Sequence, residues 1–422
     1  MMKLLVLFVT AFVDMIGLTM VIPLLPYYAT DFGASAMMVG VLISAFSIAQ
    51  LLVAPTWGRF SDRYGRRPAI LAGLLLTAVA YVLFSYAGSI VALLVSRLIQ
   101  GTGGGTIGVV QAYVADASDP KERTKSLGWL SVVTSMGAVA GPAFGSAMIS
   151  LGGRRAPGLA AATLSVLVAL FAWRFLRESA ELRQSATHPK PSTLTGRAAI
   201  RRVFVEWREP APRLIWIYTI AIGAFYGTIQ TVPLLLSDRF GITEANIGYF
   251  VMYLGGMGVL VRSLALGRMV DWLGEARLSR LGVVLLALGL AATGLATGYP
   301  LLGIGFTLMP IGTAFLFPCV TGLLSTVVPS NERGLYMGVQ HTFGGVSRVA
   351  FPIAAGYLMD HGGVGVPFWL SALLVLVTLP LISGLASFAP DHGRTTDPGL
   401  ASVTAEITGE FSVTDGEAST GG

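Results

Sequence analysis

Twelve apolar runs of membrane-crossing length, parted by short charged or Gly/Pro-rich breaks, leave this chain few ways to fold. A helix needs about 20 mainly apolar residues to cross a hydrocarbon core. The breaks delimit spans at 4–28, 37–57, 68–88, 90–115, 126–150, 156–176, 212–236, 245–267, 278–297, 300–324, 335–358 and 364–388. Inside lipid each backbone polar group must find an internal partner, so runs of this length are read as helices. Composition agrees, with 54% hydrophobic and 12% charged residues, where a soluble domain carries about a quarter charged. There is too little polar surface to cover a globule in water. The expected fold is an all-α membrane protein of twelve transmembrane helices, and its other partner is the lipid bilayer.

The first run starts Met1-Met2-Lys3, as a secretory signal does. Its length, the lack of an A-x-A-like cleavage site and the presence of Asp14 read instead as a helix that stays in the membrane. An even number of spans places both termini on one side. With that side inward, 23 of the 28 Lys and Arg fall on it, Arg154, Arg155 and Arg239 fall outside, and Arg97 and Arg348 lie within helices. The positive-inside rule then predicts a multi-pass protein of the cytoplasmic membrane with both termini cytoplasmic.

The same distribution argues against nucleic acid as the meaning of the net charge of +6, since the basic residues form short blocks between apolar runs rather than one basic face. A single cysteine, Cys319, excludes a disulfide framework, and four scattered histidines (His188, His341, His361, His392) give no metal site. No G-x-x-x-x-G-K-[ST] phosphate loop is present, so ATP is not the energy source and no cofactor is called for.

Residues 177–211 carry Arg, Glu, Pro and Ser without an apolar run and read as a cytoplasmic linker between residues 1–176 and 212–388. Beyond 389 the chain turns to Gly, Ser, Thr and acids and reads as a disordered tail. The two halves match. Pro23-Leu24-Leu25 meets Pro233-Leu234-Leu235, Gly58 to Asp62 meets Gly267 to Asp271, Glu122-Arg123 with Gly128 meets Glu332-Arg333 with Gly338, and Pro142 meets Pro352. Ordered matches at a nearly constant offset of 209 or 210 indicate a duplicated six-helix unit. Parallel repeats of this kind are a transporter architecture, with the solute site at mid-membrane between the halves.

The break between the second and third spans, Gly58-Arg59-Phe60-Ser61-Asp62-Arg63-Tyr64-Gly65-Arg66-Arg67, resembles the G-x-L-A-D-R-x-G-R-[KR] signature of the major facilitator superfamily, with Phe60 and Ser61 in place of the commoner Leu and Ala. The resemblance covers residues 1–388. Read from the residues, Gly58 and Gly65 permit a tight turn, Pro68 suits the first turn of the next helix, and Arg66 can reach a carboxylate such as Asp116. In the family such contacts, here expected of Asp62, Arg63, Arg66, Arg67 and Asp116, latch the halves together in the outward-facing state. The plainer alternative is that these charges only set topology.

Three further stretches carry the resemblance. Arg97-Leu98-Ile99-Gln100-Gly101-Thr102-Gly103 is similar to an element of proton-coupled members, and an arginine at bilayer depth usually faces a cavity, where Arg97 is expected to bias the pKa of a carboxylate such as Asp14 or to hold an anionic substrate; a purely structural arginine capping backbone carbonyls is the alternative. Gly137, Gly141, Pro142 and Gly145 resemble the antiporter signature G-x-x-x-G-P-x-x-G-G, with Ser146 in the last place. Their spacing of four puts the glycines on one face for close helix approach. Asp14, nine residues before Pro23 and the one acidic residue at mid-span, resembles the drug and tetracycline exporter branch. Burial raises a carboxyl pKa toward working pH, which makes Asp14 the expected proton-exchange group; a structural aspartate bonded to backbone amides is the alternative.

In the second half Arg348 is another charge at bilayer depth, with His341 up to two turns before it. Tyr27, Phe225, Tyr226 and Gln230 are weaker candidates to line a greasy cavity, and packing is the plainer role for them and for His341. The resemblance implies a secondary transporter that exports small amphipathic compounds in exchange for protons by alternating access, for which a monomer suffices. Uptake of a sugar or organic anion is the alternative, which the Gly-Pro element opposes. A membrane enzyme is disfavoured because His, Asp and Glu do not cluster near one face, and a receptor would leave the duplicated loops unexplained.

Overall fold

The computed structural model describes residues 2–119, 122–176, 196–329 and 332–382, and among these the regular structure is entirely helical. Ten helices are long and apolar enough to cross a membrane: α1 (Leu4–Asp31), α2 (Ala36–Tyr64), α3 (Arg66–Ser85), α4 (Ile90–Asp116), α5 (Lys125–Gly152), α6 (Ala156–Phe175), α7 (Pro210–Phe240), α8 (Ile247–Leu264), α9 (Glu275–Leu295) and α10 (Tyr299–Val327). Two more complete the set of twelve. α11 (Arg333–Gly362) carries Gln340, His341 and Arg348 in its middle, and α12 (Val366–Ile382) is shorter. The last residues of the twelfth expected span, and the tail after 389, lie outside the described residues.

Local chemistry explains the ends and breaks. Ser35 and Ser89 cap α2 and α4, their hydroxyls accepting the amide N–H of Met38 and Ala92. Pro23 and Pro26 each remove a backbone donor, and α1 tightens into a 3₁₀ turn at Ile22–Leu24. α4 is interrupted at Gly105-Thr106, after a run of glycines that weakens helical preference. Gly65, at φ +108°, makes the turn into α3, and Gly274, at φ +76°, makes the turn into α9. Gly58 takes no part in that turn: it sits inside α2, and nothing lies within 4 Å of where its side chain would begin.

The linker holds structure that its sequence did not announce. A ten-residue helix, Gly196–Val205, buries Ala199 and Val203, one turn apart, while Arg202 pairs with Glu206 and with Glu209 at 3.1 Å and donates to Tyr336 of α11 at 3.3 Å. Two buried positions on so short a helix leave no apolar run to detect. Residues 177–195 lie outside the described chain.

The duplication is visible in the packing between halves. The carbonyl of Pro142 in α5 abuts Gly248 of α8, and the carbonyl of Pro352 in α11 abuts Gly40 of α2; the prolines stand 210 residues apart and the glycines 208, so equivalent positions of the two halves make equivalent contacts. Gly356 likewise lies on the Ala36 backbone. All three contacts belong to the end of the bundle away from the start of α1, called here the far end. Hydrogen bonds reinforce the seam there. Ser44 donates to the Val349 carbonyl at 2.7 Å, and the Asp360 carboxylate accepts the amides of Ala36 and Met37 at 2.8 and 2.9 Å. The Ser146 hydroxyl donates to the Glu244 carbonyl and accepts the Gly248 amide, both at 2.9 Å. Toward the near end, Gly58 of α2, Gly128 of α5, Gly338 of α11 and Gly267, in the short helix Leu266–Leu273 that follows α8, have no neighbour within 4 Å of a would-be side chain. The halves are closed against each other at the far end and part toward the near end.

Candidate functional site: the cleft and its charges

Two adjoining cavities lie toward the near end, the first within the first half and the second in the opening between the halves. The first, about 640 Å³, is walled by α1, α3, α4 and α5 and receives Asp14 together with the hydroxyls of Thr10, Thr106, Ser131 and Thr134 and the amide of Gln111. Asp14 makes no ion pair among the described residues. It therefore meets the cavity as an acid with neutral polar company. The neighbouring turns of α1 are held by the α5 glycines: Gly137, Gly141 and Gly145 lie against the carbonyls of Phe12, Ile16 and Met20, four residues apart on both helices. That face packs inside the first half, whereas Pro142 looks the other way, onto the seam.

Arg97 does not line either cavity. It is 3% exposed, its guanidinium lies 5.4 Å over the Phe84 ring, and its Nε has no hydrogen-bond partner. Both amide atoms of buried Gln100 and the hydroxyl of Tyr81 are equally unpartnered. Tyr81 has Asp14, Arg97 and Gln100 as its polar neighbours, so it lies between the acid and the arginine, beside the Gln100 amide but without hydrogen-bond geometry. The expected direct action of Arg97 on Asp14 is thus not a contact in this structure. Nor does Arg97 cap a helix: no hydrogen bond of its side chain is found among the described residues. Sequence reading missed Tyr81, whose signal was a phenol more than a turn inside the third span, where Tyr86 stands near the span's end.

The second cavity, about 650 Å³, runs along the seam between α2, α4 and α11 and is lined by Gln50, Gly58, Asp62, Arg66, His341 and Arg348. Ile107, Gly108 and Ala112 of α4 line both cavities, so a single helix face separates them. Arg348 gives its Nε–H to the Gly344 carbonyl at 3.2 Å and lies 5.5 Å over the ring of Tyr226. Tyr226 packs edge-on against Phe225, which meets Phe317 in turn. Gln230 is half-buried farther along α7. Tyr27 belongs elsewhere: buried at the seam, it donates to the Ile242 carbonyl at 2.9 Å and ties the halves at the far end.

The signature between α2 and α3 is held within the first half. Arg66 reaches Asp62 at 2.9 Å, Asp116 at 3.3 Å and the Ser61 hydroxyl at 2.6 Å, joining α2, α3 and α4. Arg67 donates to the Trp173 carbonyl at the end of α6, and the Arg63 guanidinium lies 5.4 Å over the Tyr64 ring. The charged cluster that does cross between halves sits at the far end, where Arg154 pairs with Asp31 of the first half and, at 2.7 Å, with Glu244 of the second. Hydrogen bonding to Glu244, then to Asp31, pushes the Arg154 guanidinium above its ordinary pKa and keeps it charged. From sequence, Arg154 carried weight only as an outward-loop residue.

Comparison with known proteins fits this architecture. Multidrug resistance protein 1 of Bacillus subtilis is 28% identical over 392 residues, covering 92% of this chain and 96% of that protein. The class B tetracycline resistance protein of Escherichia coli is 25% identical, over 86% and 88% of the two chains. Among solved structures, the human organic anion transporter MFSD10 (TETRAN) superposes with a TM-score of 0.65 at 25% identity, over 90% of this chain and 99% of that one. The family model of the Major Facilitator Superfamily matches residues 7–296 and again 260–413. A duplicated twelve-helix bundle, with a polar cavity along the seam of its halves and this match across its length, is a member of the Major Facilitator Superfamily of membrane transporters.

Proposed function

We infer that the protein exports small amphipathic compounds in exchange for protons, residues 1–176 and 212–388 rocking about the cleft. The observation that carries the reading is Asp14, the mid-span acid, which opens onto a cavity without an ion-pair partner. A carboxyl at that depth is costly in its charged form unless water or a cation reaches it. It can therefore hold a proton when its surroundings are dry and release it when they are wet. With the near end taken as cytoplasmic from the Lys/Arg bias, the structure is the form that loads cargo from inside. Relatives named for multidrug and tetracycline resistance support export as the direction.

The experiment is transport in inside-out vesicles energised by a pH gradient, with and without a protonophore. Uptake of an amphipathic dye into the vesicles is expected to follow the gradient and to vanish with Asp14→Asn. Full gradient-driven uptake in that variant would remove Asp14 from the coupling step.

A further inference from the structure

We propose that the cleft seats an anionic group of its cargo, a carboxylate or a group of like charge, on Arg348. This rests on the transport reading above and narrows it to a class of substrate. The two cavities differ in sign. The first holds Asp14 and no cation, whereas the second holds Arg348 and His341, seven residues and two helical turns apart on one face of α11. Asp62, the acid that lines the second cavity, is already paired with Arg66. No carboxylate lies within 4.0 Å of Arg348 among the described residues.

Arg348 is also differently placed from Arg97. The latter is sealed in packing, while Arg348 is only partly buried and opens onto the cavity. A guanidinium carries five N–H donors in a planar fork. One goes to the Gly344 carbonyl, the Tyr226 ring covers a face, and the remaining donors are presented to the cavity. A cation at bilayer depth is costly unless matched, and the planar fork fits an oxyanion in two-point contact. Leu51, Ala54, Ile107 and Val109 give the same cavity an apolar wall that suits an apolar body attached to that anion, whereas Phe225 and Tyr226 pack behind Arg348 and do not line it.

The test uses the full-length protein in detergent and three probes with one ring system: 2-naphthoate, its methyl ester and 2-naphthylmethylamine. Stabilisation against heat is measured as a function of probe concentration, since a ligand of the folded form raises the melting temperature. Naphthoate is expected to act at about tenfold lower concentration than the ester, the scale of a charge-assisted hydrogen bond. Arg348→Gln should abolish that preference, and Arg348→Lys should keep part of it, which guards against a glutamine variant that does not fold. A naphthoate effect no larger than that of the ester, no effect of either included, would overturn the assignment, as would a preference that survives in Arg348→Gln. The vesicle assay stays separate. Gradient-driven transport of the amine probe alongside failure here would leave proton-coupled export standing and Arg348 without an anion. The anion preference without gradient-driven transport would sink the coupling and keep this site.

Discussion

Gly248 of α8 lies on the backbone of Pro142 in α5, so closely that a methyl group added there would collide with the Pro142 carbonyl and approach the Ser146 hydroxyl at 2.7 Å. Far-end closure therefore requires glycine at this position. Overpacking a fitted contact costs about 1–3 kcal/mol, and Gly248→Val is expected to push the population toward a form open at the far end. Ser44, fully buried at the same seam, reports on it as Ser44→Cys. Labelling by a membrane-impermeant thiol reagent should quicken about tenfold in the Gly248→Val background, and an unchanged rate would contradict the role given to this contact.

The far-end ion pairs should act in the same direction but more weakly. Arg154 is about half exposed, and exposed pairs are worth about 1 kcal/mol or less. Glu244→Gln is expected to quicken Ser44→Cys labelling several-fold at low salt, with the difference shrinking at high salt. An unchanged rate would mean that Glu244 acts through its backbone contact with Ser146, which the substitution leaves in place, rather than through its charge.

Arg97 offers a sharper test of purpose. A buried arginine without an ion pair adds little to stability, and an apolar residue of similar volume is often neutral or better. Arg97→Met should therefore melt at or above the parent temperature while gradient-driven transport falls at least about tenfold, a loss of about 1.4 kcal/mol or more in transition-state terms. Unimpaired transport would make the arginine a packing residue.

The two glycines of the α2–α3 signature should separate. Gly65→Ala forces a side chain into a backbone region nearly reserved for glycine and should cost about 1–3 kcal/mol in thermal unfolding. Gly58→Ala, inside a helix and facing open space, should leave stability equal or raise it by up to about 1 kcal/mol. Transport lost without loss of stability at Gly58 would show that its smallness matters in the form closed at the near end.

Much of this was legible in the chain. Apolar runs and charge breaks report helices directly because lipid allows little else, and the Arg66–Asp116 contact followed from one arginine in a turn and one acid at a helix end. Gly58 was misassigned because spacing alone does not separate a glycine that bends a backbone from one that makes room beside a helix. Tyr81, Arg97 and Gln100 meet only through tertiary packing, so their shared lack of partners had no trace along the sequence. The far-end network joins loops some 90 to 120 residues apart, and loop charges read singly carry no hint of their pairing.

At Gly40, Gly248 and Gly356 main chain rests on main chain. At these three positions parting the halves would need no side chain to be repacked, and crossing side chains such as Ser44, Ser146 and Tyr27 are held there by hydrogen bonds to backbone that can be remade in the same register. Backbone abutting backbone in this way leaves the interior of each half packed independently of the joint.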